Sequence, residues 1–143
     1  MIVLDTTVLV YATGGEHPLR APCRRLVGLL GEGALVATTT VEVVQEYANV
    51  RARRVARADA VLQARAFADL LGPLQQADEQ TLLAGLELFA EHERLGSSGA
   101  VLAATALAAG ARALVSADRA FGVVPGLLHV VPDDAGIDAL LTV

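Results

Sequence analysis

The chain has no lysine, a single cysteine and few aromatic rings, and each shortage removes a class of protein from consideration. Cys23 alone can form neither an internal disulfide nor a multi-cysteine metal site, so a reducing compartment fits. Aromatic residues supply 3% of the chain against 54% for all hydrophobic residues, so the core must be aliphatic. No apolar run reaches the roughly 18 residues a membrane span needs, because Glu, Arg or Gly interrupts each candidate. The start, Met1-Ile2-Val3-Leu4-Asp5, lacks a basic leader and runs straight into structure, which predicts a soluble cytoplasmic protein without a signal peptide. Linkers, repeats and low-complexity segments are missing too, and 143 residues favour one domain over 1–143.

The net charge of −5 argues against a broadly basic surface that coats nucleic acid. Every basic residue is arginine, however, and Arg51, Arg53, Arg54, Arg57 and Arg65 cluster. Such a group either binds phosphates or acidic partner segments, or forms a solvated helix face. His17, His92 and His129 are scattered without metal-ligand spacing and read as surface or turn residues. Cys23 reads as a small apolar residue packed on a helix.

Hydrophobic periodicity predicts strands at Ile2–Leu4, Leu35–Thr38, Leu74–Ala77, Ala113–Ser116 and Leu128–Val131. Helices are expected from Thr6 or Thr7 to Gly14, over 18–30, and from Thr39 or Thr40 through Val50. Further helices follow over 57–71, from an Asp78 cap to about Glu93, over 100–109 after the Gly96-Ser97-Ser98 break, and over 137–141. A short helical turn is expected around 119–121. Strands alternating with helices imply an α/β sandwich around a mostly parallel sheet. Sites in such sheets gather at the carboxyl ends of strands, and Asp5 and Asp118 both follow apolar strand-like runs.

Acids in that position suggest a divalent-metal site, since hard cations prefer oxygen ligands and offset repulsion among carboxylates. Asp5 and Asp118 are candidate metal ligands, with Glu46 reaching in from the helix after the second strand. Glu42 lies one turn before Glu46 on the same helical face, so either acid or both can serve. Thr6 and Ser116 can orient ligands or waters through their hydroxyls. Each acid alone would ordinarily be a cap or a solvated charge; their shared strand-end context makes the site reading the better one.

Four segments in order resemble the PIN-domain family, the ribonuclease fold of VapC-type toxins. The opening Met-Ile-Val-Leu-Asp-Thr-Thr-Val-Leu-Val at 1–10 is similar to that family's start, and 38–47 to its second acidic segment, which places the family's Glu at Glu46. The runs 100–106 and 114–121 resemble the third and fourth segments. The resemblance implies a PIN-like sandwich, Mg²⁺- or Mn²⁺-dependent endoribonuclease activity carried by Asp5, Glu46 and Asp118, a homodimer, and a VapB-type antitoxin whose tail occupies the acidic groove. The Arg51, Arg53, Arg54 and Arg57 cluster would guide RNA or contact the antitoxin. One position departs: where the family places Asp directly before Ala-x-x-Ala-Ala-Thr-Ala, this chain has Gly99. Loss of that carboxylate predicts weakened or abolished metal binding in a well-folded protein.

Other readings rank lower. Asp5-Thr6-Thr7 resembles the nucleophile motif of haloacid-dehalogenase-type phosphatases, but Thr7 stands where a second Asp is needed. Gly28-x-x-Gly31-x-Gly33 has the wrong spacing for a dinucleotide fingerprint. No Ser/His/Asp arrangement stands out. The main competitor is a catalytically dead PIN-like module that binds an antitoxin or RNA without turnover.

Overall fold

The computed structural model describes residues 1–142. Four short strands, β1 (Ile2–Leu4), β2 (Ala37–Thr38), β3 (Ala113–Val115) and β4 (His129–Val130), form one sheet in the order β2-β1-β3-β4. All three pairings are parallel, with Leu4 opposite Val115 and Val3 opposite Thr38. Among the described residues seven α-helices flank the sheet: α1 (Thr6–Thr13), α2 (Arg20–Gly31), α3 (Val41–Arg51), α4 (Arg57–Leu71), α5 (Glu79–Glu91), α6 (Ser97–Ala108) and α7 (Asp134–Leu141). A 3₁₀ turn covers Arg119–Val123. No helix among the described residues is long and apolar enough to cross a membrane.

The two central strands are apolar at every position because both their faces are covered. Ile2, Val3, Leu4, Ala113, Leu114 and Val115 are all fully buried. Aliphatic side chains from α1, α2 and α6 complete the core, as the shortage of rings requires. Cys23 lies among them on α2, and burial pushes its thiol up to about 12. Tyr47 is the largest buried side chain; its ring meets Phe67 edge-on at 5.1 Å, and its hydroxyl donates to Gln63 Oε1 at 3.1 Å.

Several local expectations need correction. Neither Thr6 nor Thr7 caps α1; Asp5 occupies the N-cap without a side-chain bond to a backbone N–H of the helix, and Thr7 Oγ1 instead donates to Asp5 Oδ2 at 3.0 Å. The strand expected over 74–77 reduces to one bridge between Thr40 and Gln75, because Gly72-Pro73 leaves only a short run before the Asp78 cap. The second strand shortens to Ala37–Thr38, with Val36 exposed. The helix expected over 100–109 begins earlier, at Ser97, with Gly96 of the Gly96-Ser97-Ser98 break as its N-cap. His129 belongs to β4, half-buried, and is no surface or turn residue.

Candidate active site

Parallel pairing of β1 with β3 brings the residues after Leu4 and Val115 out side by side. The strand order reverses direction at this pair, since β2 lies beyond β1 on one side and β4 beyond β3 on the other. Such a switch point opens a crevice at the carboxyl ends of the strands. Asp5 leaves β1 there, with its N–H donating to Val115 O at 3.0 Å.

A hydroxyl network joins the two strand ends. Ser116 Oγ, fully buried, donates to Asp5 Oδ2 at 2.6 Å and accepts the Asp118 N–H at 3.0 Å. Thr7 Oγ1 donates to the same Asp5 oxygen and accepts the Ala117 N–H at 3.0 Å. Asp118 Oδ1 accepts from Ala120 N at 2.9 Å, capping the 3₁₀ turn. From β4, His129 Nε2 lies 2.9 Å from Ser116 O. A carbonyl only accepts, so this nitrogen carries the proton and donates. Thr39 Oγ1, buried, donates to Leu4 O at 2.6 Å and ties the start of α3 to the end of β1.

Glu46 reaches the site from α3, where Thr6 Oγ1 donates to its Oε2 at 3.0 Å. Glu42, a turn earlier, lines the same groove without that tether. The groove has a volume of about 1330 Å³ and takes its walls from α1, α3, α5, α6 and the segment that carries Asp118 and Phe121. Asp5, Glu42, Glu46, Asp118 and Gly99 all line it, so the structure gathers the expected site positions in one concavity. A smaller hollow of about 560 Å³ between α5 and α6 shares no lining residue with the groove and lacks the acid–hydroxyl network.

The arginines divide. Arg54 alone of the cluster lines the groove. Arg51 Nε is occupied by Gln63 Oε1 at 2.8 Å, a link between α3 and α4. Arg53, Arg57 and Arg65 are exposed and lie outside the groove lining. Thr7 and His129 escaped sequence reading as site residues, since a threonine after an N-cap and a lone histidine look like ordinary local structure.

Gly99 sits in the first turn of α6, where a Cβ would lie 3.3 Å from Leu95 Cδ1 and 3.3 Å from Phe121 Cζ. Both neighbours are side-chain atoms of buried residues, so a side chain here requires them to give by a few tenths of an ångström. The remaining oxygen donors are of the kind Mg²⁺ or Mn²⁺ takes. No group of three or more acids, histidines or cysteines among the described residues is gathered tightly enough to enclose an ion. Mg²⁺ commonly uses one or two carboxylates, with water and substrate phosphate completing its shell, so Asp5 and Asp118 fit a weakly held ion.

Comparison with known proteins agrees with this architecture. The family model described as PIN domain matches residues 2–127. Ribonuclease VapC7 of Mycobacterium tuberculosis is 51% identical over 142 residues, covering 99% of this chain and 98% of that protein. The crystal structure of VapBC2 from Rickettsia felis, bound to a DNA fragment from their promoter, matches with a TM-score of 0.69 at 20% identity, over 92% of this chain and 98% of the matched one. That structural likeness bears on the fold, and the sequence matches carry the kinship. Strand-end acids, a switch-point groove and near full-length identity converge: the chain belongs to the PIN-domain family, as a VapC-type member.

Proposed function

We propose that the chain is a single-domain, metal-dependent endoribonuclease by descent, the cytoplasmic toxin of a type II toxin–antitoxin pair, weakened or silenced by Gly99. The observation that carries this reading is the buried Ser116 hydroxyl that joins Asp5 Oδ2 to the Asp118 N–H, behind two acids that line the groove. The 51% identity to a protein named as a ribonuclease supports RNA as substrate and a VapB-type antitoxin as partner. A homodimer is what the resemblance to the family implies.

Asp5 and Asp118 would hold Mg²⁺ or Mn²⁺, and the bound ion would acidify a water and offset charge on the phosphate. The chain's own groups do the positioning. Ser116 and Thr7 fix Asp5 through its Oδ2, and Ser116 fixes the Asp118 backbone. Thr6 fixes Glu46 Oε2, leaving Oε1 to accept the proton of the attacking water. Four acids line the groove and repel phosphate, so Arg54 supplies its attraction. Arg54→Ala should lower the salt slope of RNA binding by about one unit, while Arg53→Ala leaves it unchanged.

The decisive test compares cleavage of a mixed RNA pool in Mg²⁺ or Mn²⁺ by this chain and by Gly99→Asp, with Asp5→Ala as blank. Cleavage by Gly99→Asp alone identifies Gly99 as the lesion. Cleavage by both means that three acids suffice and overturns the silencing. Tight RNA or antitoxin binding without turnover in either protein supports the non-catalytic module.

A further inference from the structure

Five aromatic residues occur in the whole chain, and two of them line the groove. Phe121 is buried, as are Tyr47 and Phe67 in the core, and Phe89 lies on α5 outside the groove lining. Tyr11, half-buried, is therefore the one Phe or Tyr ring of the groove lining open to a bound molecule, and His17 lies outside that lining. It stands on α1 six residues after Asp5, about 9 Å along the helix at 1.5 Å per residue. Its ring is already half of a stack: His17, exposed in the loop between α1 and α2, lies 4.1 Å away centroid to centroid with 14° between the planes. The imidazole is held there, because Leu19 N–H donates to His17 Nδ1 at 3.1 Å.

We propose, resting on the RNA-cleaving reading of the groove, that Tyr11 and His17 form a platform on which an unpaired nucleobase stacks. The stacked base belongs to a nucleotide near the acids and not at them, so the platform sets which phosphate meets Asp5 and Asp118. A flat ring pair suits any base, because every base offers a π face, and it discriminates against paired RNA, whose bases already stack on one another. It also supplies what the acidic groove lacks: attraction for RNA that does not depend on charge. Tyr11 and His17 are positioning residues in this scheme and touch no reacting atom.

The test uses a short single-stranded RNA carrying one 2-aminopurine, with Ca²⁺ replacing Mg²⁺ so that binding is read without cleavage. Fluorescence anisotropy of an end label reports affinity, and 2-aminopurine emission reports stacking. Emission should fall on binding to the unaltered chain and to Tyr11→Phe, which keeps the ring. Tyr11→Leu should bind about 5- to 150-fold more weakly, the range of one lost base–aromatic stack, and its complex should lack the fall in emission. His17→Ala, which leaves α1 untouched, should lose part of both signals. Unchanged affinity and emission in Tyr11→Leu and His17→Ala would reduce the pair to a loop fastening and overturn the platform. Binding by the unaltered chain without any fall in emission overturns the platform alone and leaves the RNA reading standing. Failure of both this chain and Gly99→Asp to bind the oligonucleotide overturns the RNA reading, and the platform with it.

Discussion

Ser116 Oγ serves Asp5 as donor and Asp118 N–H as acceptor, so deleting that one buried oxygen removes one of the two hydroxyls on Asp5 Oδ2 and the partner of the Asp118 N–H. Ser116→Ala should cost about 1–3 kcal/mol in urea unfolding, because the Asp118 N–H loses its partner. In the Gly99→Asp background it should lower RNA cleavage by about a hundredfold, the scale of a small misplacement at a reacting centre. Cys23 gives a pH signature. Its thiol is raised by burial from an ordinary 9.0 to about 12, so folding favours the neutral form. This contribution is complete below pH 9, and it is lost as pH rises toward about 12, at up to about 1.4 kcal/mol per pH unit. Iodoacetamide at pH 8 should therefore leave Cys23 unmodified until urea unfolds the chain, as mass spectrometry would read. That Asp5, Glu46 and Asp118 share one groove was legible in the sequence, because each follows a recognisable apolar run or helical register. Thr7 was not, since its bond to Ala117 N spans more than a hundred residues and leaves no local pattern.

Helices were more legible than strands, for a physical reason. The helix over 57–71 is recovered at both ends, its repeating apolar positions stopped by Gly72-Pro73. The strands are two or three residues long, too short for alternation to declare itself, and their limits are set by which neighbour they find. The packing of α5 was invisible for a related reason. Leu82, Leu83, Leu86 and Phe89 suggest a buried apolar helix, yet all four are exposed and Gly85 alone is buried. A Cβ at Gly85 would lie 2.8 Å from Val101 Cα, so the backbones of α5 and α6 meet at this residue. Gly85→Ala should destabilise by about 1–3 kcal/mol, because overpacking against backbone outweighs the roughly 1 kcal/mol gained in helix propensity. Thr40→Ala should cost about 1 kcal/mol, the value of the N-cap bond from Val43 N to Thr40 Oγ1. Chemical denaturation of both variants checks the order.

At the scale of the whole molecule, the acids trade folding against metal binding. Without metal, Gly99→Asp should melt close to the unaltered chain: a carboxylate in the first turn of α6 gains from the helix dipole what it loses to Asp5 and Asp118 nearby. Saturating Mg²⁺ should then raise the Tm of Gly99→Asp by several degrees and that of the unaltered chain by less, since only binding to the folded state stabilises it. Equal shifts in calorimetry would mean the vacancy does not limit metal binding. The sheet order has a consequence in time as well. β1 lies at the centre of the sheet, yet its partner β3 pairs Ala113 with Ile2 and Val115 with Leu4, near the other end of the chain. At about 5–20 residues per second, roughly 5 to 20 s of synthesis separate the two strands. Throughout that interval Asp5 has no Ser116 to hold it and no Asp118 beside it. A chain of this design cannot assemble its acids until Ser116 and Asp118 have been synthesised, so shorter nascent chains lack the joined site.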